Sequence, residues 1–335
     1  MKILFLTIGS LTTPSTRFRV KQYLRYFTDD GITCEVKSIP HAFYKRFKLF
    51  KGLRDYDAVI IQKKLFSSFE LSRIKKSNKN IIYDFDDLVT VLHPMHELTN
   101  KRIKRMKRNE KRFVATLKES HGVIAGNTFL KDIACTHNDN VFIVPTPVET
   151  RDLPTKEPSS TDELVIGWIG TKSNLFYLDH FKNVWSEIAN RFPKVSLKIV
   201  CNEPYENDEI NVINKPWRAD EETDDLLSFD IGIMPLTEDD WSKGKCGFKL
   251  LQYMAVGLPT VASSIGTNCE ITTDGVDGFL AGTDQEWIDK LSSLVEDSEL
   301  RKKMAANARK LVDERYSVSI CKDLLVKAIR ETIAS

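Results

Sequence analysis

Residues 244–263 read GKCGFKLLQYMAVGLPTVAS, and they give the clearest indication of the fold. The apolar residues of Phe248–Val256 recur at helical spacing, and the following glycine and proline end the helix. Thr260–Ala262 is short and apolar, which predicts a buried strand. A helix that turns directly into a buried strand is typical of a parallel sheet covered by helices.

The same alternation of short apolar runs and longer amphipathic stretches extends along the chain, and the polar run 149–163 interrupts it once. We therefore predict two doubly wound α/β domains, residues 1–155 and 156–318, followed by a last helix within 319–335. The predicted strands are Lys2–Ile8, Thr33–Ile39, Ala58–Ile61, Asn80–Asp84, Gly122–Gly126, Val141–Val144, Leu164–Ile169, Val195–Cys201, Ile231–Met234 and Thr260–Ala262. The predicted helices are Phe18–Thr28, Ser67–Lys76, Lys101–Lys118, Asn174–Arg191, Asp224–Ser228, Phe248–Val256, Gln285–Glu296, Glu299–Glu314 and Ser319–Thr332.

Composition excludes several classes of protein. Of 335 residues, 41% are apolar and 29% charged, which is ordinary for a globular protein and excludes collagen, low-complexity disorder and a polytopic membrane protein. Six cysteines without a C-x-x-C pair exclude a disulfide scaffold and a zinc ribbon. The N-terminus, MKILFLTIGS, lacks a long apolar core and an A-x-A site, so it predicts a strand rather than a signal peptide. We expect a cytoplasmic protein that is soluble or peripheral to the membrane.

Charge is divided unevenly between the two halves. Residues 1–150 hold 27 Lys and Arg against 15 Asp and Glu, a net charge of +12, whereas the remainder carries −10. The excess is densest in KRIKRMKRNEKR at 101–112. This run predicts attraction of the first half to an anionic partner, such as an acidic membrane surface, a lipid diphosphate or nucleic acid.

The loop before the helix at Phe248 has the composition of an anion site. Lys243 to Gly247 read KGKCG, and they lead into a helix N-terminus whose N–H groups and dipole favour negative charge. Lys249 adds a further cation. The pattern is neither a Walker loop nor a dinucleotide-binding fingerprint.

Several segments together resemble glycosyltransferase family 4, the group 1 glycosyl transferases, in the form associated with bacterial surface polysaccharides. The most specific of them are KLLQYMAVGLPTVAS at 249–263 and GTNCEITTDGVDGFLAG at 266–282. The other matching segments are VPTPVE at 144–149, IGWIGTKSN at 166–174, STRFRVKQYLRYFTDDGI at 15–32 and YDFDDL at 83–88.

The resemblance implies the GT-B fold, in which two Rossmann-like domains face a cleft and the last helix crosses back toward the first domain. It implies transfer of a sugar from a nucleotide-sugar donor, held by the second domain, to a glycan or lipid-linked acceptor, held by the first. It also implies that no metal cofactor takes part and that nucleic acid is not a partner. The basic run 101–112 then fits an anionic membrane surface or a lipid-diphosphate acceptor.

Donor-binding residues follow from the same resemblance, with two departures from the family pattern. Gln252 stands where the family has a glutamate that holds the ribose hydroxyls, so we expect a weaker contact without charge. Thr171 and Lys172 replace the usual Arg and Lys after the glycine, so we expect other lysines to meet the phosphate charge. The implied donor-binding residues are Gly170, Thr171, Lys172, Lys245, Gly247, Phe248, Lys249, Gln252 and Glu270.

The first domain supplies the remaining candidates. Asp84, Asp86 and Asp87 resemble a D-x-D metal motif, but the surrounding segments belong to GT-B, so we do not expect a metal there. Asp86 falls where many relatives carry a histidine facing the reacting sugar, and we predict that Asp86 and Asp87 are catalytic. The predicted acceptor-binding residues are Arg17, Arg19 and His93.

Two alternatives remain open at this stage. A nucleotide-sugar epimerase of the same fold would need acid and base side chains around the sugar, and the sequence shows no clear set. A non-catalytic GT-B protein that binds a glycan or lipid fits the replacement of glutamate by Gln252 and by Gly244.

Overall fold

The chain forms two units, each built on one six-stranded parallel sheet, in a computed structural model that describes residues 1–157, 161 and 163–335. Two parallel sheets with surrounding helices confirm the predicted pair of doubly wound α/β domains. Part of the predicted linker, residues 158–160 and 162, lies outside the described residues. The first unit comprises Met1–Pro147, Gly244–Cys246 and Val318–Ser335, and the second comprises Val148–Lys243 and Gly247–Ser317.

The sheet of the first unit contains β1 (Lys2–Thr7), β2 (Thr33–Ser38), β3 (Ala58–Gln62), β4 (Ile81–Phe85), β5 (Gly122–Ala125) and β6 (Val141–Ile143). Their order is β2-β1-β3-β4-β5-β6. The strands β3, β4 and β5 are buried along their whole length, which explains their continuous apolar sequence. The strand order reverses between β1 and β3, and ligands of such sheets bind at the carboxyl ends of strands at this switch point.

The helices that precede the second unit are α1 (Pro14–Arg19), α2 (Leu24–Phe27), α3 (Phe43–Lys51), α4 (Ser68–Ser77), α5 (Asn100–Glu119) and α6 (Thr128–Cys135). The prediction of a single helix over 18–28 is wrong. A 3-10 turn at Lys21–Tyr23 separates α1 from α2, and a second one at Thr28–Asp30 follows α2. The helices α3, α4 and α5 pack on one face of the sheet through Phe50, Leu71 and Phe113. The sequence did not predict α3, because its aromatic residues favour strands.

The sheet of the second unit contains β7 (Val165–Ile169), β8 (Ser196–Val200), β9 (Asn211–Lys215), β10 (Ile231–Met234), β11 (Thr260–Ser263) and β12 (Phe279–Ala281). Their order is β12-β11-β10-β7-β8-β9, so the switch point lies between β7 and β10. The unpredicted strands, β9 and β12, are the two edges of this sheet.

The remaining helices are α7 (Lys182–Arg191), α8 (Glu222–Leu227), α9 (Asp240–Lys243), α10 (Phe248–Ala255), α11 (Thr267–Ile271), α12 (Asp284–Glu296), α13 (Ser298–Leu311) and α14 (Val318–Ala334). A 3-10 segment, Lys172–Phe181, occupies the first half of the helix predicted over 174–191. Within the described part of the chain, no helix is both long and apolar enough to span a bilayer.

The last helix, α14, belongs to the first unit. Its Val318, Leu325 and Ile329 pack in one apolar cluster with Phe5 and Ile124 of the first sheet. Lys322 forms an ion pair with Asp30 at 2.8 Å. A Cβ on Gly122 at the start of β5 would collide with the Thr332 side chain, so the helix lies directly against that strand.

The first continuous segment of the first unit ends at Pro147, earlier than the boundary predicted after residue 155. The segment that follows is tied to the second unit by hydrogen bonds. The Val148 amide donates to the Tyr316 carbonyl at 2.9 Å. The Arg309 guanidinium donates to the carbonyls of Thr150 and Leu153 at 2.9 and 3.1 Å, and to that of Ala255 at 2.6 Å. Composition alone made this segment resemble a linker.

Arg309→Ala should lower the free energy of unfolding by about 2 kcal/mol, because it leaves three partly buried carbonyls without their charged donor. Lys310→Ala, at the next and exposed position of α13, should change it by less than about 0.5 kcal/mol. Thermal and urea unfolding of both variants measure the difference. Equal losses in the two variants would contradict this account.

Candidate active site

Three aspartates and two cations of the first unit converge at the carboxyl ends of β3 and β4. Asp84 lies in β4, and Asp86 and Asp87 follow the strand directly. Lys63 follows β3, and its backbone N–H donates to the Asp84 carbonyl at 2.8 Å. Parallel strands end at the same edge of a sheet. Charged residues that are distant in the sequence therefore lie close together at this edge.

Arg19 is a buried partner of Asp84. Its Nε and Nη2 donate to the two oxygens of the Asp84 carboxylate, and its Nη1 donates to the Val144 carbonyl at 2.7 Å and the Thr146 hydroxyl at 3.3 Å. Burial opposes the charge of Arg19, but Asp84 and Asp86 outweigh it and raise its pKa. With 4% of its surface exposed, Arg19 fixes Asp84, and its predicted contact with an acceptor stays a prediction.

Lys63 forms ion pairs with both of the aspartates predicted to be catalytic. Its Nζ lies 2.6 Å from Asp86 Oδ1 and 2.5 Å from Asp87 Oδ2. Burial acts to raise the pKa of Asp86, but Lys63 and Arg19 outweigh it and hold that pKa below the ordinary value. Lys63 itself has a φ of 54°, in the left-handed region that non-glycine residues rarely adopt. Its backbone is therefore held in an unusual conformation at the point where its side chain meets both carboxylates.

This arrangement determines what the carboxylates can do. Asp86 stays ionised at neutral pH, so it is suited to accept a hydrogen bond from a hydroxyl rather than to donate a proton. The side chain of Asp87 is 47% exposed, more open to solvent than that of Asp86 at 12%. The aspartates are thus occupied by cations of the protein, and we find no group of three potential metal ligands among the described residues.

Gly244–Cys246 belongs to the first unit and packs beside Asp86. The Cys246 thiol donates to the Asp86 carbonyl at 3.0 Å, and the Asn127 side-chain amide donates to the Lys245 carbonyl at 2.9 Å. A Cβ on Gly126 would collide with the Cys246 sulfur, so this position needs glycine. Lys245 was predicted with the donor-binding residues of the second domain, whereas the structure groups it with the first unit.

Arg17 and His93 are the other two predicted acceptor residues of the first unit. The Arg17 guanidinium stacks over the Phe18 ring, 4.2 Å from its centroid. His93 is buried, and its Nδ1 accepts a hydrogen bond from the Met95 backbone N–H at 3.2 Å. The structure therefore fixes the orientation of the His93 ring, which loop sequence alone did not indicate.

In the second unit, Gly170 and Lys249 meet at the switch point of the sheet. Gly170 follows β7, and Lys249 lies in the first turn of α10, the helix that leads into β11. The Lys249 Nζ lies 5.5 Å from the centroid of the Trp168 ring. A Cβ on Gly170 would approach Lys249 Cε to 2.8 Å and the Trp168 ring to 2.5 Å, so the lysine crosses the glycine closely.

The N-terminus of α10 is shaped by glycine. Gly247 is the N-cap residue with a φ of 62°, and a Cβ there would collide with Ile271 of α11. Phe248 begins the helix, and Gln252 is buried one turn further along it. Glu270 lies exposed on α11, next to Ile271. The predicted donor residues of α10 and α11 thus lie on neighbouring elements.

Thr171 and Lys172 are at the surface. The Thr171 hydroxyl accepts a hydrogen bond from the Asn174 side-chain amide at 3.1 Å, and Lys172 pairs with Glu203 at 3.3 Å. The Lys172 side chain is 72% exposed, so this pair contributes little to stability. Of the cations predicted for the donor, Lys249 is the one that lies beside the glycine at the end of β7.

Comparisons with known proteins agree with this architecture. Residues 163–297 match the family described as Glycosyl transferases group 1. No curated protein sequence matches the chain. The solved structure of HepE from Anabaena with UDP and glucose is similar over 99% of this chain and 100% of its own, with a TM-score of 0.71 and 16% identity.

Two further structures show the same fold. Sucrose-phosphate synthase from Thermosynechococcus elongatus covers 99% of both chains at a TM-score of 0.73 and 12% identity. The lipopolysaccharide outer core galactosyltransferase WaaB covers 99% of both chains at a TM-score of 0.69 and 14% identity. At these identities the likeness shows the GT-B fold.

Sequence reasoning missed Lys63 and Asn127. Lys63 follows an apolar strand within the pair Lys63-Lys64, which is typical of a solvated loop. Asn127 caps α6 through its side-chain oxygen, which accepts from the Leu130 N–H at 2.8 Å, and its amide group holds Lys245. Only its position as a helix N-cap is visible in the sequence.

Lys63→Met should lower the free energy of unfolding by about 3 kcal/mol at neutral pH, because it leaves two carboxylates without their cation. Since Lys63 and Arg19 together outweigh burial and depress the pKa of Asp86, the stabilisation is present above about pH 4. This stabilisation is lost as the pH falls through the lowered folded-state pKa of Asp86. The difference in free energy of unfolding between Lys63→Met and wild type should therefore become smaller in acid. Urea unfolding across this pH range measures the gap.

The matched control is Lys64→Met at the next position. Burial, and secondly the charge of Arg46, lower the pKa of Lys64, so its charge adds little to stability. Its loss should cost less than about 1 kcal/mol. A constant difference between Lys63→Met and wild type at every pH would show that the carboxylates do not depend on Lys63.

Proposed function

We propose that this protein of GT-B fold, whose residues 163–297 match the family of group 1 glycosyl transferases, is a glycosyltransferase that moves a sugar from a nucleotide-sugar donor to a glycan or lipid-linked acceptor. The observation that carries the proposal is the placement of Lys249 over Gly170 at the switch point of the second sheet. The HepE structures with UDP and with UDP-glucose show that a protein of this fold binds such a donor.

The second unit offers the chemistry that a diphosphate needs. The N-terminus of α10 presents backbone N–H groups, and Lys249 in its first turn adds a positive charge. As the sugar leaves, charge develops on the diphosphate, and fixed donors of this kind stabilise it more in the transition state than in the ground state. We propose that these groups act without a metal, and that Gln252 contacts the ribose hydroxyls.

The first unit offers the chemistry that an acceptor needs. Asp86, kept ionised by Lys63, accepts a hydrogen bond from the acceptor hydroxyl and orients its oxygen toward the anomeric carbon. A new C–O bond forms at that carbon as the bond to the diphosphate breaks. The proton of the acceptor hydroxyl passes to Asp86 or to the departing diphosphate. Asp87 shares the same lysine and is the more exposed of the two.

Acceptor class and location follow from charge. The basic run of α5 favours an acceptor that carries phosphate on a lipid, and it favours peripheral contact with an anionic membrane surface. We infer a role in the synthesis of a cell-surface polysaccharide at the cytoplasmic face of the membrane. The resemblance of 83–88 and 15–32 to a bacterial subgroup supports this inference.

Donor binding should raise the melting temperature with one class among UDP-, GDP-, ADP- and dTDP-sugars, in buffer with EDTA. At about 100 times Kd the gain corresponds to about 2.7 kcal/mol. Lys249→Ala should abolish the shift because it removes the cation beside Gly170. Lys182→Ala, which removes an exposed lysine of the second unit paired with Glu209, should keep it. A shift that requires Mg²⁺, or one that survives Lys249→Ala, would contradict the proposed donor site.

Asp86→Asn should lower the rate of sugar transfer at least about 100-fold while leaving donor binding unchanged, since the amide is a weaker acceptor than the carboxylate. Asp57→Asn, far from β4's carboxyl end in the sheet, is the matched control and should keep full activity. Transfer to an isolated acceptor glycan or lipid diphosphate, followed by mass spectrometry, measures the rate. Epimerised donor without transfer would instead favour the epimerase alternative.

A further inference from the structure

The positive charge of the first unit is concentrated in one layer of three helices. Together α3, α4 and α5 carry 16 Lys and Arg but only 3 Asp and Glu, a net +13. Residues 1–150 as a whole carry +12, so the residues of this half outside the three helices have a net charge of only −1. Pairing between the helices uses little of the charge: Arg46 meets Glu70 at 2.9 Å, and Lys75 meets Glu119 at 2.8 Å.

Exposed aromatic side chains lie at the beginning of two of these helices, α3 and α4. Phe43, Tyr44 and Phe69 are 50%, 72% and 54% exposed, and no other aromatic residue is among the large exposed apolar side chains of the described chain. Phe47 joins them to the core, with ring centroids 4.6 Å from Phe43 and 5.8 Å from Phe69. Arg46 and Arg73 lie over the rings of Phe43 and Phe69.

These features share one edge of the sheet. The helices α3, α4 and α5 begin after the carboxyl ends of β2, β3 and β4. The Lys75–Glu119 pair brings the C-terminal ends of α4 and α5 together, and α5 has 20 residues where α4 has 10. At 1.5 Å per residue, the basic half of α5 therefore projects about 15 Å past the beginning of α4. Exposed Met95 and Leu98 precede this projecting half.

We propose that this aromatic–basic edge, formed by residues 43–48, 69–73 and 95–111, binds the surface of an anionic lipid bilayer. Aromatic and aliphatic side chains enter the interface between headgroups and acyl chains, and the surrounding lysines and arginines attract acidic headgroups. The phosphates of a nucleic acid would pair with the lysines and arginines of this edge. Without splayed bases, however, a nucleic acid has no group that would contact the clustered rings of Phe43 and Phe69. The edge is the same one at which Lys63 and Asp86 lie, so a bound bilayer would present a lipid-linked acceptor beside them.

This inference deepens the proposed function, and it rests on that function only in taking the acceptor to be lipid-linked. The first test is co-sedimentation of the full chain with vesicles of phosphatidylcholine alone and with vesicles that also contain phosphatidylglycerol. We expect binding to the anionic vesicles that weakens as salt is added. Absence of binding at low salt would overturn the proposal.

Charge removal tests the basic half of α5. The variant Lys104→Ser, Arg105→Ser, Arg108→Ser should weaken binding to anionic vesicles about 100-fold, at about fivefold for each cation near the surface. The matched control is Lys302→Ser, Lys303→Ser on exposed positions of α13 in the second unit, which should bind as wild type. Equal weakening per charge in both variants would show only non-specific attraction and would overturn the assignment of the edge.

Aromatic removal tests insertion. Tyr44→Ser with Phe69→Ser should weaken binding about tenfold, with the salt dependence unchanged, because it removes apolar area and no charge. Tyr44→Ser alone, at the most exposed ring, gives the same test with the least risk to folding. The control Ile213→Ser with Val276→Ser removes exposed apolar side chains of the second unit and should have no effect.

Two readouts separate this inference from the proposed function. A donor-dependent thermal shift in all these variants, without vesicle binding by wild type, would overturn the bilayer surface alone. Vesicle binding without any donor shift would overturn the proposed function alone. Binding of wild type to a soluble polyanion such as duplex RNA as tightly as to vesicles, lost in the same charge variant, would assign the edge to nucleic acid and overturn the proposal.

Discussion

The charge balance at the end of β4 is the constraint on which the first unit's candidate site depends. Asp84, Asp86 and Asp87 occupy three of four consecutive positions, and their carboxylates would repel one another in a partly buried setting. Arg19 and Lys63 reach them from two other elements and supply the compensating charges. The site is therefore a property of the assembled sheet, since each cation comes from a different crossover.

The second unit depends on close approach rather than on charge balance. Glycine at 170 and 247 lets Lys249 and Ile271 occupy space that any larger residue would take. Because the helix and the strand end meet at a switch point, a small region gathers backbone N–H groups and one cation. The two units thus solve different problems: one keeps Asp86 ionised despite its burial, and the other brings a lysine and a helix N-terminus to the end of a strand.

Much of the fold was predictable because buried parallel strands read as continuous apolar runs, and most were located within a few residues. The exceptions have physical reasons. The edge strand β9 is polar, and the helix predicted over 18–28 is broken by 3-10 turns. Within the candidate site, the sequence did not predict the burial of Arg19 or the role of Lys63, because charged side chains are usually exposed. Only the tertiary structure shows which carboxylate pairs with each of them.

The position of α14 has a consequence for synthesis. The first sheet emerges from the ribosome long before Val318, yet Phe5 and Ile124 are covered in part by that last helix. Domains that fold as they are made usually complete their cores from their own residues. Here an apolar face of the first sheet stays uncovered while nearly the whole second unit is translated. Chaperones have access to this face during that interval.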